Sequence, residues 1–128
     1  MRRYDGYTVQ NICIETLPGE HVFGSIYTPI KKGKHPLIIC PDGHFGGGRY
    51  RADEQQRLGT LARMGAICVD FDLYGWGQSK TEYGKNSHQT DRAHVIQALN
   101  AEVLLDYMWN HRKDVDKTRI GANGGSGG

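Results

Sequence analysis

Residues 119–128 read RIGANGGSGG, Arg119 to Gly128, a short apolar run that passes into four glycines around one serine. Its core, Gly124-Gly125-Ser126-Gly127-Gly128, fits the pattern glycine, any residue, serine, any residue, glycine. In that pattern the serine sits on a strained turn between a strand and a helix. Small neighbours let strand and helix approach closely, so the hydroxyl points into a cleft. The N–H of the following residue, Gly127, would then help stabilise an oxyanion. Two other readings compete on these residues alone. Gly121-x-x-x-Gly125-x-Gly127 matches a dinucleotide loop, whose backbone N–H groups hold a pyrophosphate. GGSGG also matches a flexible linker. A dinucleotide loop normally follows the first strand of its sheet and has an acidic residue ~20 positions later. Here the loop follows the fifth strand, and no acidic residue comes after it.

The residues upstream set the context. Tyr7 to Thr16 alternates and is rich in β-branched residues, Pro18-Gly19 turns the chain, and His21 to Thr28 reads as the second strand of a hairpin. After a polar loop, Pro36 to Cys40 (PLIIC) is a continuous apolar run, the mark of a strand buried on both faces. Ala52 to Met64 is helical, with Leu58, Leu61 and Ala62 on one face and Gly65 as its stop. Ala66 to Asp72 (AICVDFD) is another buried strand, and Lys80 to Thr90 is polar and irregular. Arg92 to His111 is the longest periodic segment, with Val95, Leu99, Val103 and Tyr107 at helical spacing, Ile96, Leu104 and Met108 beside them, and Asp91 as N-cap. Asp114 to Lys117 turns the chain into a short strand, Thr118 to Ala122.

Strands alternating with helices predict an α/β fold, a β-hairpin followed by parallel strands with crossover helices. Ligands of such sheets gather at the loops leaving the carboxyl ends of the strands. The glycine-rich loops after Cys40, Asp72 and Ala122 all leave from those ends, so they should lie together.

Two of these loops add chemistry. Pro41 to Gly48 (PDGHFGGG) leaves the first buried strand, the position that supplies a second oxyanion N–H in a serine hydrolase of this topology. The N–H of His44 is the candidate, with Phe45 as the alternative. The His44 imidazole is expected to pack or bind water, since a triad base needs a partner carboxylate. Asp72 to Ser79 (DLYGWGQS) is a tight turn held by local side-chain hydrogen bonds. It shapes the cleft wall, where Tyr74 or Trp76 could touch substrate.

Composition narrows the classes. The chain is 38% hydrophobic and 23% charged, which is globular rather than disordered. Its formal charge of +2 is too balanced to point to nucleic acid or a membrane surface, and Lys31-Lys32-Gly33-Lys34 reads as a solvated loop. Cys13, Cys40 and Cys68 each lie in an apolar run and are expected to be buried free thiols, not a disulfide framework or a zinc site. No apolar run approaches the ~18 residues that span a bilayer. The opening MRRYDGYTV has no hydrophobic segment behind its arginines, so no signal peptide is visible. The cytoplasm is the default compartment, with secretion open if a signal was removed.

Three segments together, PLIICPDGHFGGG, ARMGAICVDFDLYGWGQS and DVDKTRIGANGGSGG, resemble the N-terminal half of an α/β-hydrolase. The closer resemblance is to the acetyl xylan esterase and cephalosporin deacetylase-like branch. It covers roughly residues 20 to 128, in the family's order. It implies a serine ester hydrolase with Ser126 as nucleophile and the N–H groups of His44 and Gly127 as oxyanion hole. Phe45, Tyr74, Trp76 and His88 would border the cleft. It implies a small-molecule or carbohydrate ester as substrate, and no cofactor or metal. Residues 1–128 would form one partial domain that stops at the nucleophile elbow.

The family's triad runs serine, acid, histidine. No acidic residue or histidine follows Ser126, and Asp70 and Asp72 come too early for that order. His21, His35, His44, His88, His94 and His111 all precede the serine, and of these His88 lies in a loop that could overhang the cleft. The chain alone is therefore expected to be inactive or nearly so. Its last strand should form an open sheet edge able to associate with another chain. Two alternatives stand beside the esterase: a serine peptidase of the prolyl-oligopeptidase type, which shares the Gly-Gly-Ser-x-Gly-Gly pattern, and a non-catalytic hydrolase-fold piece.

Overall fold

The computed structural model describes residues 1–84 and 86–128. Three antiparallel strands come first: β1 (Arg2–Tyr4), β2 (Tyr7–Leu17) and β3 (Glu20–Pro29). The turns between them are Asp5-Gly6 and Pro18-Gly19. Then follow β4 (His35–Pro41), α1 (Ala52–Arg63), β5 (Ile67–Phe71), a single helical turn α2 (Lys80–Tyr83), α3 (Arg92–His111) and β6 (Val115–Ala122). All six strands join one sheet in the order β1-β2-β3-β5-β4-β6. β4 runs parallel to β5 on one side and to β6 on the other, while β3 meets β5 antiparallel. This is the hairpin and parallel-strand arrangement expected from the sequence.

The alternation of each strand divides the core between two faces. Ile67, Val69 and Phe71 of β5 join Leu37, Ile26 and Val22 under Leu104 and Met108 of α3. Cys68 and Cys40 face the other way, with Tyr27, under Leu58 and Ala62 of α1. Every residue of β5 is buried, as a strand covered on both faces must be. Asp70 belongs to this strand. It is fully buried, paired in register with Ser25 and Cys40, and neither carboxyl oxygen has a hydrogen-bond partner among the described residues. Burial above all, then Glu54, Asp42, Cys40 and Asp72, holds this carboxyl well above the usual carboxylate range.

Several expectations need correction. The α3 stripe that reaches the core is Ala93, Ile96, Asn100, Leu104 and Met108; Val95, placed on the central row from the sequence, is 68% exposed. Asp91 occupies the N-cap position but makes no side-chain capping bond. Its backbone is already helical, so the carboxylate does not reach the free N–H groups. The turn expected at Asp114–Lys117 is strand from Val115 onward, because buried Val115 pairs with His35. Lys80 to Tyr83 forms a helical turn inside a segment read as irregular. Cys13 is exposed on β2, while Cys40 and Cys68 are buried; all three are free thiols. Among the described residues no helix is long and apolar enough to cross a membrane.

Candidate active site

The three loops at the carboxyl ends of β4, β5 and β6 are built around one another. The β5 loop begins at Asp72, whose carboxylate is enclosed. Oδ2 pairs with the Arg49 guanidinium and accepts from the Gln78 N–H at 2.9 Å, and Oδ1 accepts from the Arg49 N–H at 3.2 Å. Gly48 and Gly77 flank it with φ of +54° and +53°, and a Cβ on either would run into the carboxylate. Arg49 is 1% exposed and spends its other donors on Ser25 Oγ (3.1 Å), Tyr50 Oη (2.6 Å) and Gln78 Oε1 (2.7 Å). A buried charge pair is tolerable only with such complete satisfaction. Ser79 closes the turn by donating toward the carbonyls of Leu73 and Trp76, both at 2.8 Å. Sequence reading foresaw a hydrogen-bonded turn here and missed Arg49, which looks like a surface residue in a glycine-rich loop. The usable signal was an aspartate at a buried strand end, which needs a cation.

The β4 loop is anchored at Asp42, which is buried and accepts from the Gly43 N–H at 2.9 Å. Burial raises its carboxyl pKa. The Phe45 N–H donates to the Gly43 carbonyl at 2.9 Å, while the His44 N–H has no acceptor among the described residues. The Phe45 ring, 42% exposed, lies against the Arg51 guanidinium, 3.9 Å from carbon to ring centroid.

The β6 strand enters its loop in register beside β4. Asn123 N–H donates to the Ile39 carbonyl at 2.9 Å, and the Arg57 guanidinium of α1 holds the Asn123 side chain. A turn then closes from the Gly128 N–H to the Gly125 carbonyl at 3.0 Å. Ser126 stands at its corner with φ of +57°, the only non-glycine residue with positive φ among the described residues. A β-carbon in that region is strained, and such strain concentrates at functional sites. The Gly127 N–H has no acceptor among the described residues. The Gly127 Cα lies directly against the His44 imidazole, so a side chain there would collide with the ring.

The remaining expected residues divide. His88 reaches the site: its Nε2 is 2.5 Å from His44 Nε2, and its Nδ1 is 2.8 Å from the Tyr74 carbonyl oxygen. Trp76 stands edge-on to both imidazoles, with centroids 5.9 Å and 6.1 Å away. Tyr74 does not offer its side chain to the cleft. It is 4% exposed and packs with Tyr83, Ala93 and Ile96, so only its carbonyl faces the site. No group of three or more His, Cys, Asp or Glu among the described residues is placed to hold a metal ion.

Four residues past a parallel strand, a strained serine thus stands in a turn beside the glycine-rich loop that carries His44. Comparison with solved structures gives the same frame. The chain superposes on methylesterase BT1017 with a TM-score of 0.97 at 66% identity, over 99% of this chain and 29% of that one. The fold is that of the α/β-hydrolases. A Bacteroides fragilis protein assigned as an acetyl xylan esterase matches this chain at TM-score 0.76 and 19% identity, over 99% of it and 40% of that chain. Brefeldin A esterase, a bacterial homologue of human hormone-sensitive lipase, matches at 0.70 and 19%, over 96% and 32%. This chain thus spans less than half the length of each of these hydrolase structures. No family model and no curated protein matches it.

Proposed function

We propose that the protein is a serine carboxylic-ester hydrolase that works through an acyl-enzyme, with acetylated carbohydrate or a related small ester as its substrate class. The observation that carries this is the left-handed backbone of Ser126 at the end of a parallel strand. No other non-glycine among the described residues bears that strain, and a turn tip is where a nucleophile hydroxyl has to be held.

Ser126 Oγ attacks the ester carbonyl carbon, and the carbonyl π electrons move onto oxygen. The N–H groups of His44 and Gly127, both without acceptors among the described residues, stabilise that oxyanion. Collapse breaks the bond to the alcohol oxygen, which leaves with the proton that the Ser126 hydroxyl gives up, and the acyl group stays on Ser126; water then adds in turn, one of its protons returns to Ser126 Oγ, and the acid is released. The esterase names of the neighbouring structures support this reaction class.

In the family's order the acid and histidine follow the serine, and only Gly127 and Gly128 do so here. The 128 residues by themselves are therefore proposed to be inactive or nearly so. The edge strand β6 is proposed as a surface through which they associate with another chain.

The test is a chimera in which these 128 residues replace the matching part of methylesterase BT1017, a swap that 66% identity makes practicable. It should hydrolyse 4-nitrophenyl acetate, and Ser126→Ala should lower turnover by roughly 10⁴-fold or more. The isolated chain should stay near background. Strong, Ser126-dependent turnover by the isolated chain would overturn the inactivity, and an active Ser126→Ala chimera would overturn the nucleophile.

A further inference from the structure

We propose that Tyr74, His88 and His44 form a hydrogen-bonded relay that presents the His44 Nδ1 lone pair beside the elbow as an acceptor for a hydroxyl group of a saccharide or polyol ester. The substrate half of this rests on the ester-hydrolase reading above.

The relay follows from counting protons. The Tyr74 carbonyl oxygen can only accept, so His88 Nδ1, 2.8 Å away, carries a proton. A neutral His88 then has a bare Nε2. The two Nε2 atoms lie 2.5 Å apart, and a bond between them needs one proton, which His44 Nε2 must supply. A neutral His44 is thereby fixed with Nδ1 bare. Its ring rests on Gly127, the residue after Ser126 and the one whose N–H serves the oxyanion. His88 is a positioning residue: it touches no substrate, and it sets which nitrogen of His44 can accept.

The surroundings select the ligand. His44 and His88 meet through their Nε2 atoms with ring planes crossed at 74° and centroids 4.5 Å apart, and Trp76 stands edge-on to both, which makes a wall of rings beside Gly127. Lys80 Nζ stands 4.9 Å from the Trp76 ring centroid and is the charged group at this wall. A wall that is largely aromatic, with one acceptor at its tip, complements a molecule with C–H faces and hydroxyl donors. An ester without such a hydroxyl forgoes this hydrogen bond, which lowers its affinity.

The test uses the 128-residue chain with ¹⁵N-labelled histidine at alkaline pH, where an ordinary imidazole is neutral. Long-range proton–nitrogen correlation should show His88 protonated on Nδ1 and His44 on Nε2. A His44 protonated on Nδ1, or averaging between tautomers, overturns the relay. His88→Phe keeps a ring against Trp76 and removes the acceptor, so His44 should lose its single tautomer. His88→Gln, whose amide oxygen can take the same proton, should restore it. An unchanged His44 in His88→Phe overturns the relay as well.

For the ligand, 6-O-acetylglucose and cyclohexyl acetate are titrated in turn. The sugar ester should move the His44 Nδ1 signal and bind about tenfold more tightly, a margin that His44→Phe erases. Equal responses to the two esters overturn the hydroxyl assignment. A saturable response of both Nε2 signals to micromolar zinc ion alone makes the pair a cation site and overturns the proposal. An active Ser126→Ala chimera beside an intact relay would remove the ester-hydrolase reading alone.

Discussion

Two glycine-rich loops leave the same end of the sheet and treat their polar groups in opposite ways. At the loop after β5, the Asp72 carboxylate and the Ser79 hydroxyl are buried and bonded, with the buried Arg49 guanidinium reaching Asp72 from the loop after β4. Its glycines make room for a carboxylate. In the loop after β6, residues 123–128 are exposed, one turn hydrogen bond closes it, and the Gly127 N–H has no acceptor among the described residues. Its glycines make room for an imidazole and hold a serine under strain. The first loop spends its donors within the fold, and the second leaves one donor without an acceptor among the described residues. A serine beside glycine therefore means little until its partners are counted.

The largest expected effect comes from breaking the saturated loop. Arg49→Met leaves Asp72 buried and unpaired, and should cost about 3–5 kcal/mol, read from urea unfolding. A loss below ~1 kcal/mol would mean the pair is not what holds this loop. Gly77→Ala is next, since it adds a β-carbon at φ +53° against the same carboxylate. We expect a loss on the order of 2 kcal/mol, whereas Gly125→Ala, in the exposed loop with open space around it, should cost far less.

Asp70 sharpens the contrast at the end of β5, because it lies two residues before Asp72 and its carboxyl has no hydrogen-bond partner among the described residues. Its pKa is raised in the folded state, so the folded chain holds the proton more tightly than the unfolded one. That contribution is complete below the unfolded carboxylate value of ~3.9 and is lost as pH rises toward the folded value. Stability should thus fall by up to about 1.4 kcal/mol per pH unit above pH ~4. Asp70→Asn should flatten this fall in urea midpoints taken across pH, and an unaltered slope would exclude Asp70 as its source. The smallest effect reverses sign. Ser126→Gly relieves the left-handed φ and should stabilise by roughly 0.5–1 kcal/mol, while Ser126→Ala, which keeps a β-carbon, should not. Equal midpoints for the two would show that the Ser126 turn carries no strain.

Much of this was legible in the sequence, and the gaps have physical reasons. The apolar runs of β4 and β5 and both ends of α3 could be read directly, because burial on two faces and a long 3.6-residue period leave strong patterns. The buried stripe of α3 sits one residue away from the row read first, since its apolar residues occupy two adjacent rows and only packing decides between them. β1 went unseen: Arg2-Arg3-Tyr4 has no hydrophobic alternation and is a strand only because it pairs with Tyr7–Val9. At the candidate site, the placement of Ser126 in a turn after β6 and of the Pro41–Gly48 loop after β4 was readable from local pattern. The meeting of His44 with His88 was not, because 44 residues separate them and neither shows a periodic signal.

The placement of β6 bears on how the chain is made. β4 is an inner strand of the sheet, yet its second neighbour does not exist until Val115–Ala122 has been synthesised. At a ribosomal pace of about 5–20 residues per second, one row of β4 peptide groups stays unpaired for several seconds after Pro41 emerges. During that interval the nascent chain presents Leu37 to Cys40 as an open apolar edge. It is the stretch on which a trigger-factor-like holdase would have the most to protect.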